Sequence, residues 1–391
     1  MKKKLKSISW PQWPIFYKEE KKKIKEVLHT SILFNGNETS KLEFEFAKYN
    51  KSKYVCAVGN ATQGLHLALA ALNIGIGDEV IVTNYSWIST ASCILMQNAI
   101  PIFADIETKT LSLDVSKIEK KINSKTKAII YVHMFGYIAD IESIRRIAKK
   151  NKLKLVEDAS HSHGASYKNI KAGNFGDISV LSMQQRKNLP CGDGGLVVCK
   201  NKKLFRKVYN LRSFGSNELS YNYRISELSA GIARIRLKRL DNENKSRNKI
   251  VRKIKDRLKN IKGLSTMEPI KHSYPVYYKL IFFYDYNFFR EDLDFFIKKM
   301  NSIKIPVYKT YLPLNLHPNF NLPYIPSRGT TWLKPFTKKK FFKKMNELIL
   351  PISKEISFKK AFQINIPPYL KILHINYFVK SLEKYVSDYK K

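Results

Sequence analysis

Tyr54-Val-Cys-Ala-Val58-Gly-Asn60-Ala-Thr62-Gln-Gly-Leu-His-Leu-Ala-Leu-Ala-Ala-Leu72 is the stretch that decides the fold. Its first five residues are a short apolar run rich in strand-forming types, and from Ala61 onward it is rich in Ala and Leu, the best helix formers. A strand that passes almost directly into a helix is half of a βαβ unit. The helix start leaves the backbone N–H groups around Asn60, Ala61 and Thr62, with the Thr62 hydroxyl, pointing out of its N-terminus, which is a ready anion site. Alone, the same residues are equally explained as an ordinary helix cap.

Six further apolar runs follow at βα spacing: Glu79–Thr83, Pro101–Asp105, Ala128–His133, Leu153–Asp158, Ile178–Met183 and Gly195–Cys199. Near-continuous Val, Ile and Leu runs separated by helical patterns imply a mostly parallel sheet covered on both faces. The predicted class is therefore α/β, with a large domain over residues 1–250 that includes the N-terminal segment. One long charged helix is expected from Ser226 to Asn260, leading out of it. Beyond, Tyr274–Tyr284 alternates like a strand, Glu291–Asn301 has helical spacing, and Ile305–Tyr308 reads as another strand, which gives a small α+β domain over residues 251–391. There is no internal repeat and no low-complexity linker.

The chain has 391 residues, and its 71 Lys+Arg against 32 Asp+Glu give a formal net charge of +39. A hydrophobic fraction of 44% with 12% aromatics excludes a disordered polycation. Excess Lys and Arg suit a polyanion partner, but here Lys, Asn, Ile, Tyr and Phe are abundant together, as a strongly AT-biased coding sequence dictates. The lysine runs at Lys2 to Lys4, Lys21 to Lys23 and Lys338 to Lys340 are scattered and do not form one patch. No nucleic-acid partner is expected. The basic start, Met1 to Lys6, is not followed by an apolar stretch, and no window approaches 18 apolar residues, so neither export nor a membrane span is expected. Cys56, Cys93, Cys191 and Cys199 form no C-x-x-C pair, which suits reduced thiols in a cytoplasmic protein and speaks against a metal site.

Four features of the large domain carry chemistry. Beside the cradle at Asn60 to Gln63 stands Glu157-Asp158-Ala-Ser-His161, at the C-terminal end of a strand, where α/β sheets place ligands. A carboxylate there serves a metal, a ribose, a heterocyclic nitrogen cation or simply the fold. The third feature is Gly176-Asp-Ile-Ser-Val-Leu-Ser182-Met-Gln-Gln-Arg-Lys187-Asn-Leu-Pro-Cys-Gly192-Asp-Gly-Gly195, which puts a hydroxyl and a lysine after a strand and returns through a glycine-rich turn. The fourth is Ser86-Trp87-Ile-Ser-Thr90, whose tryptophan is either core or a platform for a flat ring. Taken in order, a phosphate cradle, a stacking aromatic, a carboxylate and a lysine describe pyridoxal phosphate held through a lysine Schiff base.

On these residues the chain resembles the DegT/DnrJ/EryC1/StrS family of pyridoxal phosphate-dependent aminotransferases, which act on keto sugars and keto cyclitols. The likeness runs from about Trp10 to the C-terminal region and is most specific at Val58–Leu72, Ser86–Thr90, Glu157–Gly164 and Gly176–Gly195. It implies the aspartate aminotransferase-like fold (fold type I), with a seven-stranded sheet in the large domain. Met183-Gln-Gln-Arg-Lys187 and Trp10-Pro-Gln-Trp-Pro14 are most like members that aminate inososes, and His133-Met134 has a counterpart in the aminohydroxybenzoate synthases.

The resemblance implies that Lys187 forms the internal aldimine and shuttles the proton, and that Asp158 holds the pyridine nitrogen protonated. It also implies that Trp87 stacks on the ring, that His161 lies near its phenolic oxygen, and that Ala61, Thr62 and Ser182 bind the phosphate; the helix start adds Asn60 to the expected cofactor-binding residues. Asn222 matches an asparagine donated across a homodimer interface. Lys187 separates the chain from related sugar dehydratases, which carry histidine there. Arg186 is expected to point away from the ring. Arg212, Arg224, Lys309, Tyr311, Asn315 and His317 are the expected substrate contacts, Asn315 standing where the family commonly has histidine. The implied activity is transfer of an amino group from glutamate or glutamine to a nucleotide-linked keto sugar or an inosose-like cyclitol. The alternatives are a 3-amino-5-hydroxybenzoate synthase-like enzyme, or a basic nucleic-acid-binding regulator on the same fold without turnover.

Overall fold

Seven strands form one sheet: β1 Tyr54–Val58, β2 Glu79–Thr83, β3 Ile100–Ala104, β4 Thr126–Val132, β5 Lys154–Asp158, β6 Ile178–Ser182 and β7 Gly195–Cys199. Their order is β1-β7-β6-β5-β4-β2-β3. Every neighbouring pair is parallel except those made by β7, which runs antiparallel between β1 and β6. All seven runs expected from the sequence are thus strands, shifted by at most two residues at their ends. The computed structural model describes residues 8–214, 219–321 and 347–391; the runs at Lys2 to Lys4 and Lys338 to Lys340 lie outside the described residues.

Side chains alternate across this sheet with a period of two, so each strand feeds two cores. On β2, Val80 and Val82 enter one core and Ile81 the other. Helices α1 (Lys18–Thr30) and α2 (Asn37–Asn50) precede the sheet, and α3 (Ala61–Ala71), α4 (Ser89–Met96), α5 (Ile141–Lys150), α6 (Lys202–Arg212) and α7 (Glu227–Leu237) follow along the chain. Leu65 and Leu69 of α3, Ile94 of α4 and Val208 of α6 cover one face. Phe46 of α2, Ile144 of α5 and Ala233 of α7 cover the other. Each fully buried Leu, Ile or Val contributes about 2 kcal/mol relative to exposure, so two covered faces sustain a sheet this wide.

The expected single helix from Ser226 to Asn260 is two, α7 and α8 (Leu240–Leu258). The chain tightens between them, with Arg239 N–H donating to the Arg236 carbonyl at 3.1 Å, and Leu237 and Leu240 both stay in the large-domain core. No Pro or Gly marks this break. Further along α8, Ile250, Ile254 and Leu258 enter a third core, that of an antiparallel sheet made of β8 (Leu264–Thr266), β9 (Leu280–Tyr284), β10 (Val307–Lys309) and β11 (Ala361–Ile364). Helices α9 (Leu293–Ser302) and α10 (Ile372–Tyr389) complete it, and Phe282 stacks on Phe362 at 4.8 Å inside. The N-terminal segment lies against this smaller body: Ile8 and Trp10 pack on its core, and Trp10 Nε1 donates to the Asn365 carbonyl at 3.3 Å.

The run Tyr274–Tyr284 is not one strand. Only Ser273–Tyr274 and β9 are extended and paired, and between them the backbone is tied elsewhere. Val276 N–H donates to the Gly136 carbonyl at 3.0 Å and Lys279 N–H to the Phe135 carbonyl at 3.3 Å. A Cβ on Gly136 would lie 2.8 Å from the Tyr278 nitrogen, so only glycine admits this crossing, and its φ of +93° suits glycine too.

Candidate active site

In a parallel sheet the residues that follow the C-terminal strand ends gather on one edge. Here Asn60–Thr62 after β1, Ser86–Thr90 after β2, Asp158–His161 at the end of β5 and Ser182 at the end of β6 line one cavity of about 580 Å³. The antiparallel return of β7 supplies the remaining wall. Met183 N–H bonds the Gly194 carbonyl and Gln185 N–H the Gly192 carbonyl, both at 2.8 Å, and the hairpin so closed carries Lys187 over the edge.

The cradle is the N-terminus of α3. Asn60 Oδ1 caps Gln63 N–H at 3.0 Å, while the N–H groups of Ala61 and Thr62, in the first turn, have no acceptor within the helix. Gly195 lets this terminus press against β7, because a Cβ there would lie 2.7 Å from the Asn60 carbonyl carbon. Thr62 Oγ1 is 2.7 Å from Ser89 Oγ, and Ser182 is nearly buried across from them.

Asp158 is buried, with Oδ2 accepting from Thr90 Oγ1 at 2.9 Å and Oδ1 from Ser160 N–H at 3.1 Å. Ser86 Oγ, 2.9 Å from Thr90 Oγ1, extends the hydroxyl chain. Among the described residues Asp158 makes no salt bridge. Its neighbour Glu157 faces the other side of the sheet and is fully occupied. It accepts from the backbone N–H groups of Gly173, Phe175 and Gly176, from Ser179 Oγ and from His133 Nε2, at 2.6 to 3.1 Å.

Lys187 is buried, its Nζ 4.6 Å from the centre of the Tyr278 ring. Burial draws its ammonium down to about 8, against the opposing pull of Asp158. His161 lies flat on Tyr278 with ring centres 4.4 Å apart; its Nδ1 accepts from Phe135 N–H at 3.3 Å, and its Nε2 faces the Tyr311 hydroxyl at 3.4 Å. Burial first, then the charges of Lys187 and Lys279, hold its pKa well below that of a free imidazole. Trp87 is 58% exposed at the cavity wall, its ring edge-on to Tyr311.

The structure therefore gathers Asn60, Ala61, Thr62, Trp87, Asp158, His161, Ser182, Lys187 and Tyr311, and leaves the other expected contacts outside the cavity. Arg212 is corrected most firmly: it is buried beneath β1, paired with Glu43 at 2.8 Å and bonded to the Ala57 carbonyl at 3.0 Å, and it does not line the cavity. Asn315 is buried in a reciprocal pair with Asn84. Arg224 donates to Ser213 Oγ at 2.9 Å, and Lys309 pairs with Asp294 at 2.7 Å on the small domain. His317 also stands away from the cavity, and Asn222 is exposed on a short bridge to Ser213. Arg186, expected to point away, borders the cavity, and Tyr278, Lys279 and Gln363 are wall residues that the sequence reading did not single out.

Residues 14–329 match the profile of the DegT/DnrJ/EryC1/StrS aminotransferase family. The chain belongs to that family. The GDP-perosamine synthase of Escherichia coli O157:H7 is 38% identical over 232 residues, which cover 57% of this chain and 64% of that protein. The L-glutamine:2-deoxy-scyllo-inosose aminotransferase of Streptomyces fradiae is 33% identical over 268 residues, 62% of this chain and 63% of that one. Each alignment thus spans just under two thirds of the relative's length. Among solved structures, an aminotransferase from Psychrobacter cryohalolentis superposes with a TM-score of 0.85 at 27% identity, covering 97% of this chain and 99% of that chain. The protein is an aminotransferase of fold type I, from a family whose members use pyridoxal phosphate on sugar and cyclitol ketones.

The cavity suits that cofactor. It offers a helix N-terminus with free donors for a phosphate, a buried carboxylate that makes no salt bridge among the described residues for a pyridinium, and a buried lysine of lowered basicity for a carbonyl.

Proposed function

We propose that this chain binds pyridoxal phosphate and transfers an amino group from glutamate or glutamine to a keto sugar or keto cyclitol. The observation that carries the reading is the convergence of Lys187, Asp158 and the Asn60–Thr62 helix start on one cavity. The cofactor, when bound, supplies a carbonyl that takes up the amino group and a ring that accepts electron density from the breaking C–H bond. Ala61, Thr62 and Ser182 would hold its phosphate, Asp158 its ring nitrogen, and the open face of Trp87 its ring.

Lys187 Nζ, with a basicity near neutrality, takes the proton from the donor's amino-bearing carbon and later delivers one to the acceptor carbon. Asp158 keeps its charge aimed at one point because Thr90 and Ser160 fix both oxygens. His161, kept neutral and turned by Phe135 N–H, presents an N–H into the cavity and competes for no proton with Lys187. Asn222, exposed and away from its own cavity, is assigned to the neighbouring site of a homodimer.

The experiment is spectroscopic. Pyridoxal phosphate added to the purified chain should give a visible band that shifts with glutamate or glutamine and is lost in Lys187→Ala; an unchanged spectrum in that variant overturns the reading. Mixing Lys187→Ala with Asn222→Ala subunits tests the dimer, since only an asparagine acting across the interface lets the mixture regain one intact site per dimer.

A further inference from the structure

Two aromatic residues with left-handed backbone conformation meet where the loop after β4 crosses the segment leading into β9. Phe135 has φ 56° and ψ 12°, and Tyr277 has φ 43°. That region is costly for any residue with a Cβ, and such strain persists only where the surrounding structure over-determines it. At this crossing the two backbones are bonded to each other through Val276 N–H and Lys279 N–H. The Phe135 ring stacks on Tyr311 at 5.6 Å, and the Tyr277 ring stands edge-on to Tyr137 at 5.3 Å. The next residue, Tyr278, is the one that the crossing delivers to the cavity wall.

Three side chains converge on the Tyr278 ring. His161 stacks on it at 4.4 Å, Lys279 Nζ stands 4.9 Å from its centre and Lys187 Nζ 4.6 Å from it. Lys279 Nζ is tied to Asn365 Oδ1, whereas Lys187 Nζ makes no hydrogen bond and no ion pair among the described residues. The ring is therefore what meets the reacting amine directly. Burial pushes the Tyr278 phenol up to about 12, against smaller pulls from Arg186 and the Tyr311 hydroxyl, so the ring carries no charge near neutral pH. The face of an uncharged aromatic ring attracts an ammonium or an N–H but takes no proton from it. A carboxylate in the same place would hold the amine as its ammonium, which attacks no carbonyl.

We propose that Tyr278 is the positioning residue of Lys187: its ring is the surface on which Nζ rests whenever the amine is free, facing the cavity and committed to no stronger partner. The inference rests on the aminotransferase reading and deepens it, since an amine that leaves and returns in each turnover needs a resting contact that is neither bulk water nor a salt bridge. The strained crossing is what brings this ring, from the segment that leads into the small domain, against the amine.

The test uses pyridoxal phosphate and pyridoxamine phosphate, which share a phosphate and a ring, while only the first has a carbonyl for Lys187. Tyr278→Leu should bind pyridoxamine phosphate by calorimetry within about twofold of the parent, while the stopped-flow rate of pyridoxal phosphate capture falls about tenfold. Tyr278→Phe, which keeps the ring and loses only the hydroxyl, should restore that rate to within about threefold of the parent. If circular dichroism shows Tyr278→Leu to be unfolded, Tyr278→Met, whose flexible side chain fills similar space without a π face, takes its place. Parent-like capture in the variant that lacks the ring overturns the proposal. So does an equal loss in Tyr278→Phe, or an affinity for pyridoxamine phosphate that falls as far as the capture rate, which is what general disruption of the cavity would give.

The two readings fail separately. A parent that captures pyridoxal phosphate but takes no amino group from glutamate or glutamine counts against the aminotransferase reading, while the capture rates, which need no turnover, still decide the role of Tyr278. A parent with normal transfer whose ring-less variant captures as fast leaves that reading intact and removes only this inference. A parent that captures no cofactor defeats both.

Discussion

Trp13 Nε1 donates a hydrogen bond to the backbone carbonyl of Lys187 at 3.1 Å, across 174 residues of sequence. The indole is itself fixed, with the guanidinium carbons of Arg236 and Arg247 at 4.8 and 4.5 Å from its ring. The hairpin that carries the reacting amine is thus steadied by the N-terminal strap, and through Trp10 by the small domain. Trp13→Phe keeps a ring between the two arginines but removes the bond. A neutral hydrogen bond is worth about 1 kcal/mol, so unfolding should shift by no more than that while kcat falls by about tenfold from misplacement of Nζ. Thermal unfolding beside steady-state rates checks the split; equal loss in both would reduce Trp13 to ordinary packing.

Cofactor capture should depend on pH through Lys187. Burial lowers its pKa to about 8, and only the neutral amine attacks a carbonyl, so the rate of reconstitution rises as pH passes upward through about 8 and then levels off. Asp158 pulls the value up, so Asp158→Asn should move the midpoint lower. Stopped-flow absorbance at a series of pH values reads both.

Gly195→Ala places a methyl group 2.7 Å from the Asn60 carbonyl carbon and 2.9 Å from the Ala61 nitrogen, both of them backbone. The start of α3 must retreat, at a cost of about 1–3 kcal/mol in stability. Because the retreating atoms are the cradle, affinity for pyridoxal phosphate should fall about tenfold or more by fluorescence titration. An unaltered affinity would mean that the phosphate is held elsewhere.

Arg212→Met strips the partner from Glu43, which is largely buried beneath β1. An unpaired buried charge destabilises by about 3 kcal/mol, somewhat less here because the Glu43 side chain keeps some contact with water. Denaturant unfolding should show that loss, with KM for both substrates unchanged at temperatures where the variant is folded. A raised KM would return Arg212 to the substrate.

Much of this was legible from residues 54–199, where each strand is a clean apolar run and each ligand-facing residue follows a strand end. Asp158, Lys187 and the Asn60–Thr62 turn could be placed because local rules position them. Tyr278 and Lys279 could not, since the alternation of Tyr274–Tyr284 imitates a strand and the break is imposed by backbone bonds to Phe135 and Gly136, far away in sequence. Arg212 failed for a similar reason. Its charge and location beside a motif suggested a substrate contact, while its true partner, Glu43, lies 169 residues away.

Glu157 and Asp158 are consecutive carboxylates on β5 with opposite duties, one binding the loop at Gly173–Gly176 and the other facing the cavity. Slippage of β5 by a single residue against β4 and β6 would exchange them. The misaligned chain would bury an unanswered anion behind the sheet and would strand the Gly173–Gly176 amides. A pairing error in this strand is therefore penalised at once, during folding, and the molecules that pass that proofreading are those whose catalytic carboxylate already points the right way.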